Sequence, residues 1–438
     1  MLDARASSAR VWSSPRLSVA FKHGFRSTLG GRRFSTTCAA TTPLGDIVKG
    51  KVVVVGAGIA GLATARALSL AGMPCVVLER DSGPRKEGAS IGLWPNAWRA
   101  LDVLGVGDDL REVHPVCDRV ELRGKDGSLL NSFTLDECDA PEKEYRGVAR
   151  NGLLQALGKS LPQDCIKYDV GVEGLNTDSD FPILSTSEGE IKCSIVVGCD
   201  GVRSPIAESL GLSPPNYAGY SAIRGVAEFG SKGLPVSSST LLNYWGAGVR
   251  FGMYEIGENK LYWFVSFNIP ESLDKKTAEQ IKEEALEYAE GFDPVVKDCV
   301  AATPLTSLSR SKLGDRWMVP GVSIGAGQVT LCGDAMHPMT PNLGQGGCLA
   351  LEDAVVLART LKAAGGVDGD RGEVAKALRE YESVRTKRVM PLMVQSNVRG
   401  ALLQLDKEPV VAARDLFVKF GFSPARFLDP GKFDCGDL

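Results

Sequence analysis

Metal-ligating motifs are scarce in this sequence. Its 438 residues include three histidines, and its eleven cysteines are scattered singly, without one Cys-x-x-Cys pair. A zinc site built from cysteine and histidine needs clustered ligands at short spacings, and this pattern offers no such set. We therefore predict no metal site and no structural disulfide. We interpret most of the cysteines as small buried apolar residues in a reducing compartment.

Long hydrophobic runs are also missing. A membrane helix needs roughly 18 or more consecutive apolar residues, and the most apolar stretch of the C-terminal half, 348–358, is broken by Glu352 and Asp353. The composition, with 44% hydrophobic and 24% charged residues, excludes disorder, collagen and coiled coil. These features predict a soluble globular protein of two or three lobes with no integral membrane segment.

A basic excess is confined to the first 40 residues. They carry six Arg and one Lys against a single acid, Asp3, so the rest of the chain is acidic. An acidic body argues against nucleic acid as a partner, because phosphate binding needs a basic face. Ser- and Thr-rich composition with few acids is typical of an organelle transit peptide, which we assign to residues 1–45. We predict a plastid location, with the mitochondrion as the alternative destination and a disordered tail as the alternative interpretation.

A strand–glycine–helix–strand pattern follows. The β-branched run at 51–56 predicts a short buried parallel strand, a helix is predicted up to residue 71, and 75–79 predicts the next strand. Strand and helix are joined by the sequence Gly56-Ala57-Gly58-Ile59-Ala60-Gly61. A G-x-G-x-x-G turn inside such a unit, with an acid 23 residues after the first glycine, predicts a dinucleotide-binding site.

Each residue of this unit has its own physical role. Gly56 permits the tight turn, Gly58 lets the backbone approach a pyrophosphate, and Gly61 allows helix and strand to pack closely. The free N–H groups of the helix N-terminus then face the phosphates. Glu79 is expected to accept hydrogen bonds from ribose hydroxyls. Arg80 has two open interpretations, a contact to an NADP 2′-phosphate or a solvated surface charge.

The rest of the chain mixes β/α segments with β-rich ones. No second G-x-G-x-x-G occurs, and strands are predicted at 191–198 and from 329 onward, each followed by an aspartate, Asp200 or Asp334. A long helix is predicted over 373–397. We interpret this order as one domain assembled from discontinuous pieces around an inserted sheet.

Three segments taken together resemble one family. They are Gly56-x-Gly58-x-x-Gly61, then Gly198-Cys-Asp200-Gly201-Val-Arg203-Ser204, then Cys332-Gly333-Asp334-Ala-Met-His337-Pro338-Met-Thr-Pro341-Asn342-Leu-Gly344-Gln345-Gly346-Gly347. In this order and spacing, the chain from about residue 50 to about 400 resembles the single-component FAD-dependent aromatic hydroxylases. It is most similar to the plant monooxygenases related to zeaxanthin epoxidase.

The resemblance implies a fold and its domains. The expected fold is α/β, with a Rossmann-like FAD-binding domain assembled from discontinuous segments, an inserted β-rich substrate domain and C-terminal helices. The FAD-binding domain is assigned to 46–119, 146–215 and 305–400. The substrate domain is assigned to 120–145 and 216–304, and a C-terminal tail to 401–438.

The resemblance also implies roles for residues around FAD. Asp334 is expected to hydrogen-bond the ribityl chain, Arg150 to lie near the flavin diphosphate, and Val172 to offer a backbone contact to adenine. Asp200 belongs to a fingerprint linked to both FAD and NAD(P)H. The isoalloxazine ring is expected against a loop whose helix N-terminus stabilises negative charge on reduced flavin. That loop consists of Pro341, Gly344, Gln345, Gly346 and Gly347.

The implied activity is that of an FAD-dependent monooxygenase. NADPH or NADH reduces bound FAD, the reduced flavin forms a C4a-hydroperoxide with O2, and one oxygen atom hydroxylates or epoxidises a small, aromatic substrate. We expect a monomer or a homodimer. The alternatives are a flavin-dependent reductase or dehydrogenase on the same fold, an epoxidase of a lipophilic isoprenoid, and a non-catalytic nucleotide-binding regulator.

Two residues are the main catalytic candidates. Arg250 and Tyr262, 12 positions apart, resemble the Arg and Tyr that flank the active site of urate-type hydroxylases. Tyr262 would hydrogen-bond a substrate oxygen, and Arg250 would hold an anion or polarise Tyr262. The alternative is that both are satisfied sheet residues. Arg224 is a weaker candidate, and for His337 a structural hydrogen bond is favoured over a general-base role.

Overall fold

The computed structural model of the protein describes residues 43–84, 90–137, 143–271, 275–318 and 322–438. Apart from its last three residues, the transit peptide assigned to 1–45 lies outside these ranges. Within the described ranges, no helix combines the length and apolar character needed to cross a membrane.

The strands of the described chain are β1 (Val52–Val55), β2 (Cys75–Leu78), β3 (Ser90–Leu93), β4 (Arg119–Gly124), β5 (Leu129–Thr134), β6 (Arg146–Ala149), β7 (Ile166–Lys167), β8 (Val172–Asn176), β9 (Ile183–Thr186), β10 (Gly189–Lys192), β11 (Ile195–Gly198), β12 (Asn216–Glu228), β13 (Thr240–Trp245), β14 (Val249–Gly257), β15 (Lys260–Asn268), β16 (Ser309–Asp315) and β17 (Val329–Leu331). The α-helices are α1 (Leu44–Val48), α2 (Ile59–Leu70), α3 (Pro95–Val103), α4 (Gly107–Val113), α5 (Arg150–Lys159), α6 (Pro205–Ser209), α7 (Ala278–Ala289), α8 (Pro294–Ala301), α9 (Gly346–Ala363), α10 (Arg371–Leu403), α11 (Glu408–Gly421) and α12 (Pro424–Leu428).

A parallel sheet forms the first layer, in the order β17-β11-β1-β2-β7. Every residue of β1 and β11 is buried. A parallel sheet is covered on both faces, which is why continuous valine runs suit it better than alternating patterns. Its strands come from widely separated parts of the chain, so the domain is discontinuous, and the carboxyl ends of β1, β2, β11 and β17 meet at one edge.

Helices cover this sheet and carry its connections. α2 packs against α9, and α9 also contacts α3 and α10. α10 begins where the Asp370 side chain accepts hydrogen bonds from the N–H groups of Gly372 and Glu373, a favourable N-cap. These helices fix the loop between β17 and α9 beside the parallel sheet.

A mixed sheet forms the second layer, in the order β16-β12-β15-β14-β13-β4-β5. Its neighbours are antiparallel except β13 and β4, which run parallel. Because side chains alternate along a strand, its two faces differ. Phe251 and Trp263 pack with residues of α7 and α8, whereas Tyr254 and Tyr262 join the core around the parallel sheet.

The predicted α/β fold class is confirmed, with its discontinuous Rossmann-like domain, inserted β-rich sheet and C-terminal helices. The exact domain bounds remain predictions; β16 completes the mixed sheet from within the range assigned to the FAD-binding domain. One predicted strand is wrong. The stretch 191–198 is divided between β10 and β11, which belong to different sheets.

Candidate active site

The G-x-G-x-x-G turn joins β1 to α2 at the carboxyl edge of the parallel sheet. Gly56 has a φ of +100°, and a Cβ there would lie 2.8 Å from the Cys199 carbonyl oxygen. A Cβ on Gly61 would lie 1.8 Å from the Gly56 oxygen, whereas one on Gly58 would meet nothing within 4 Å. Open space therefore remains at Gly58, next to the unpaired N–H groups of the first turn of α2, and a diphosphate fits there.

A cavity of about 320 Å³ extends from this turn past the end of β2. Glu79 is fixed at its wall, because its Oε2 accepts from the Ala57 N–H at 2.7 Å and its Oε1 from the Asp81 N–H at 3.0 Å. The size and the fixed acid suit a nucleoside. Its other lining residues include Leu154, Lys159 and Tyr168.

Two predicted adenosine-side residues lie near this cavity. The Arg80 side chain is 74% exposed, and its Nε lies 3.9 Å from the Asp81 carboxylate. Val172 is half-buried at the start of β8, in register with Thr186. An exposed side chain at this place is compatible with both interpretations of Arg80, the 2′-phosphate contact and the solvated surface charge.

The two aspartates after β11 and β17 converge on the same edge. The Asp200 Cα lies 3.1 Å from the position of a Cβ on Gly56, and Asp334 Oδ1 lies 3.9 Å from that of a Cβ on Gly346. The Asp334 side chain is exposed and that of Asp200 is half-buried. Desolvation by the surrounding protein raises the pKa of both carboxyl groups, against smaller opposing effects: hydrogen bonds from Ser204 and the Ile206 N–H for Asp200, and the charges of His337 and Arg150 for Asp334. Asp200 Oδ1 has no hydrogen-bond partner among the described residues. A buried acceptor in that state fits a ligand hydroxyl or amide.

The loop 341–347 leads from this edge into α9. Pro341–Leu343 forms one 3₁₀ turn, Gly344 has a φ of +64°, and α9 begins at Gly346. A Cβ on Gly347 would lie 2.1 Å from Ile91 Cδ1, so the start of α9 packs closely on β3 at this position. The first N–H groups of α9 have no helical acceptor, and they stabilise negative charge placed before them.

A fully buried charge network supports this loop from behind. Arg385 donates to Asp353 at 2.5 Å and to Glu352 at 2.7 Å, and His337 Nε2 lies 2.6 Å from Asp353 Oδ2. Burial by itself would lower the pKa of His337, but the Asp353 carboxylate raises it above its usual value. Burial by itself would raise the pKa of Asp353, but His337 and Arg385 hold it below its usual range. His337 therefore makes a structural hydrogen bond.

Sequence reasoning missed most of this network. Asn96 Nδ2 donates to Gln345 Oε1 at 2.9 Å and to Glu352 Oε1 at 2.6 Å, which ties α3 to the loop and to α9. One feature of the sequence indicated the network. The adjacent acids Glu352 and Asp353 lie inside an apolar stretch, and buried acids need partners. Arg385, 32 positions beyond Asp353 on another helix, is not reachable by any spacing rule.

The candidate catalytic side chains share one face of the mixed sheet. Tyr262 and Phe264 lie on the same face of β15, and Arg224 and Gly252 stand opposite Phe264 on the two neighbouring strands. Arg250 lies on this face two residues before Gly252, and its guanidinium is 5.5 Å from the Phe264 ring centroid.

Arg250 and Tyr262 have different partners. Arg250 is 5% exposed and donates from one terminal nitrogen to Asn342 Oδ1 in the loop 341–347. Burial lowers the pKa of Arg250 to about 10, so it remains a cation at neutral pH. Burial raises the pKa of Tyr262, while the charge of Arg224 acts in the opposite direction. The guanidinium that acts on the Tyr262 hydroxyl is thus that of Arg224, which also donates to Ser311 Oγ at 2.6 Å.

A larger groove, of about 910 Å³, opens at the other end of the Asn342 side chain. The Tyr220 hydroxyl accepts from Asn342 Nδ2 at 2.8 Å, and Tyr220 is part of the groove wall. In the part of the chain that is described, no group of three or more His, Cys, Asp or Glu side chains is arranged to hold a metal ion.

Known proteins that are similar to this chain include monooxygenases and FAD-binding proteins. The family model described as "FAD binding domain" matches residues 49–396. Monooxygenase 2 of Arabidopsis thaliana is 32% identical over 403 residues, covering 88% of this chain and 98% of that protein. Chloroplastic zeaxanthin epoxidase of Nicotiana plumbaginifolia is 31% identical over 374 residues, covering 80% of this chain and 55% of that protein. The crystal structure of Klebsiella pneumoniae HpxO with FAD and uric acid superposes with a TM-score of 0.76 at 26% identity, covering 87% of this chain and 95% of that one.

Proposed function

This chain belongs to the FAD-dependent aromatic hydroxylase family, and on that premise we propose that it uses NAD(P)H and O2 to hydroxylate a small anionic aromatic substrate. The observation that carries the proposal is the contact between Arg250 and Asn342. It joins a buried cation on the mixed sheet to the loop 341–347, which in this family accompanies the flavin. A substrate held by that cation lies beside the reacting ring.

The chain's own residues hold FAD in this proposal. The turn at 56–61 receives the diphosphate, Glu79 the adenosine ribose, and Asp334 with Arg150 the ribityl and diphosphate portion. The N–H groups at the start of α9 face the isoalloxazine ring, where they stabilise negative charge. Bound FAD supplies the redox chemistry, because it accepts electrons from NAD(P)H and passes them to O2.

The protein's task at the substrate is to position it and to exclude water. Arg250 binds an anionic group, and the neutral Tyr262 hydroxyl donates a hydrogen bond to a substrate oxygen. Phe264 and Tyr254 provide apolar walls on the same face, since their rings lie 6.4 Å and 5.0 Å from that of Tyr262. Water exclusion suppresses the wasteful release of peroxide.

A lipophilic isoprenoid is a second candidate substrate, and the relative zeaxanthin epoxidase gives it weight. Two guanidinium groups on the face that carries Tyr262 favour a small anion over an apolar chain, because an unpaired buried cation is costly against hydrocarbon. The remaining alternatives, a reductase or dehydrogenase and a non-catalytic regulator, make no oxygenated product.

We propose that NAD(P)H docks transiently, because the part of the chain that is described contains one G-x-G-x-x-G unit only.

We also propose a plastid location, from the composition of residues 1–45 and the chloroplastic relative. A fusion of residues 1–45 to a fluorescent protein tests this: fluorescence in plastids is expected, and fluorescence in mitochondria or cytosol would contradict it.

Flavin reduction tests the proposed function. The FAD-loaded full chain is mixed with NADPH or NADH in a stopped-flow instrument, alone and with benzoates, phenols, purines or isoprenoids. We expect one class of small anionic aromatics to accelerate bleaching of the flavin at 450 nm (~tenfold or more). Acceleration by isoprenoids only would favour the epoxidase. Bleaching that no ligand changes would favour the reductase.

A further inference from the structure

We propose that Asn342 is a specificity-determining positioning residue: its neutral carboxamide holds the Arg250 guanidinium in place without neutralising it, so that the site selects organic anions with a planar carboxylate. This inference rests on the proposed function, whose substrate class it makes specific. Asn342 lies in the loop 341–347 and Arg250 on β14, 92 positions apart in sequence.

Arg250 has an unusual environment for a buried arginine. Its Nε has no hydrogen-bond partner, and no Asp or Glu carboxylate lies within 4 Å of its guanidinium, among the residues whose positions are described. Arg385 and Arg310, which are also buried, each contact a carboxylate directly, at 2.5 Å and 2.8 Å. The positive charge of Arg250 is therefore balanced by no internal counter-ion and is available to a ligand.

The Asn342 side chain is held in one orientation. Its Nδ2 has three acceptors within hydrogen-bond distance, the Tyr220 hydroxyl at 2.8 Å, Thr340 Oγ1 at 3.0 Å and the Ser396 carbonyl at 2.8 Å. These groups come from β12, from the residue just before the loop 341–347 and from α10. A flipped amide would face all of them with its oxygen and would turn its NH2 toward Arg250, so the contacts direct Oδ1 to the guanidinium.

Neighbouring residues pack closely around this amide. A Cβ on Gly400 of α10 would lie 2.5 Å from Asn342 Nδ2, and Asn342 itself is 8% exposed. The amide thus has a fixed direction and no charge. An aspartate of the same size would form an ion pair with Arg250 and would repel an incoming carboxylate, whereas a shorter side chain would leave Arg250 charged but less firmly held.

The test is a binding titration of oxidised FAD-loaded full-length protein, without NAD(P)H. Benzoate and its neutral isostere benzamide are titrated while the flavin absorbance spectrum is recorded. Wild-type protein is expected to bind benzoate at least about tenfold more tightly than benzamide. Asn342→Asp is expected to weaken benzoate binding about tenfold or more and to change benzamide binding by less than about threefold. The matched control Asn131→Asp, in β5, should leave the ratio of the two affinities unchanged.

Two further variants keep the inference falsifiable if Asn342→Asp fails to fold or to bind FAD. Asn342→Ala adds no acid, so the preference for benzoate should persist with weaker affinity. Arg250→Gln removes the cation, so the preference should disappear. Equal affinities for benzoate and benzamide in the wild type, or undetectable benzoate binding, would overturn the proposal, as would an unchanged ratio in a folded Asn342→Asp. Because no turnover is involved, these outcomes are separate from a failure to oxygenate.

Discussion

At the scale of single residues, the proposed function relies on three polar side chains: Asp334, which is exposed, Asp200, which is half-buried, and Tyr262, which is buried. Asp334 and Asp200 are acceptors at the edge of the parallel sheet, and Tyr262 is a neutral donor on the mixed sheet. Desolvation by the surrounding protein raises the pKa of all three groups. A carboxylate that stays ionised there requires a hydrogen-bond donor, and in the proposed function a hydroxyl of FAD would be that donor.

Asp334→Asn tests the assignment of the FAD ribityl contact. The variant preserves size and removes the negative charge, so the dissociation constant of FAD is expected to rise about tenfold or more. The measurement is quenching of FAD fluorescence during titration of the apoprotein. Asp298→Asn, an exposed position on α8, is the control and should bind FAD like the wild type. An unchanged affinity in Asp334→Asn would remove Asp334 from the site.

Tyr262→Phe tests the substrate contact. Loss of the hydroxyl is expected to lower kcat/KM about tenfold or more, with FAD binding unchanged. Tyr244→Phe, on the opposite face of the mixed sheet, is the matched control and should stay within about twofold of wild type. Because burial raises the pKa of Tyr262, its hydroxyl should remain protonated up to at least pH ~10. Loss of substrate binding through a Tyr262 ionisation below that pH would contradict the account.

At the scale of elements, two glycines of the turn between β1 and α2 have different roles: Gly61 is needed for folding, and Gly58 for binding FAD. Gly61→Ala would force a Cβ against the rigid Gly56 backbone oxygen and is expected to lower the free energy of unfolding by about 2 kcal/mol or more. Gly58→Ala enters open space, so apoprotein stability should change by less than about 0.5 kcal/mol. FAD affinity should nevertheless fall. Urea unfolding of apoprotein and FAD titration measure the two effects, and equal destabilisation by both variants would contradict the assignment.

A second prediction at this scale concerns the stabilising effect of the buried charge network between α9 and α10. Asp353→Asn leaves Arg385 and His337 without their shared carboxylate, and is expected to lower the free energy of unfolding by about 3–5 kcal/mol. Urea denaturation near pH 6 measures it. Glu290→Gln, which removes an exposed pair with Lys297, is the control and should cost less than about 1 kcal/mol. A similar small loss in Asp353→Asn would contradict the role of the network.

The pH dependence of that difference follows from the directions of the two shifts. The pKa of Asp353 is lowered, so its contribution is present above the unfolded value of about 3.9 and is lost as pH falls through the folded value. The pKa of His337 is raised, so its contribution is present below about 6.5 and is lost as pH rises through the folded value. The stability difference between wild type and Asp353→Asn should therefore be largest between these limits.

At the scale of the whole molecule, local patterns predicted the glycine turn between β1 and α2 and missed the contacts that join the layers. The glycine turn and Glu79 could be predicted because they lie within one short βαβ unit, where spacing fixes geometry. The contacts of Arg250 with Asn342 and of Arg385 with Asp353 cross between elements 92 and 32 positions apart. Tertiary packing determines that Arg385 is paired with a carboxylate, whereas Arg250 is paired with an amide.

The same limit explains the error in the strand assignment. The stretch 191–198 contains no Pro and no Gly before its last residue, yet β10 pairs with β9 in a small antiparallel sheet and β11 enters the parallel sheet. The sheet that a strand joins depends on neighbouring strands that are distant in sequence, and a local sequence pattern does not specify those neighbours. In the mixed sheet, β4 likewise lies next to β13 and β5 next to β4, although both precede β13 by more than a hundred positions in the sequence.

The central claim is that the chain is a monooxygenase rather than a reductase or dehydrogenase on the same fold. The most direct measurement supplies ¹⁸O2 and NAD(P)H with the ligand that most accelerates flavin reduction, and analyses the product by mass spectrometry. The account predicts one ¹⁸O atom in each product molecule, with product formed in proportion to NAD(P)H consumed. An oxidised product without label, with all the label in peroxide or water, would contradict it.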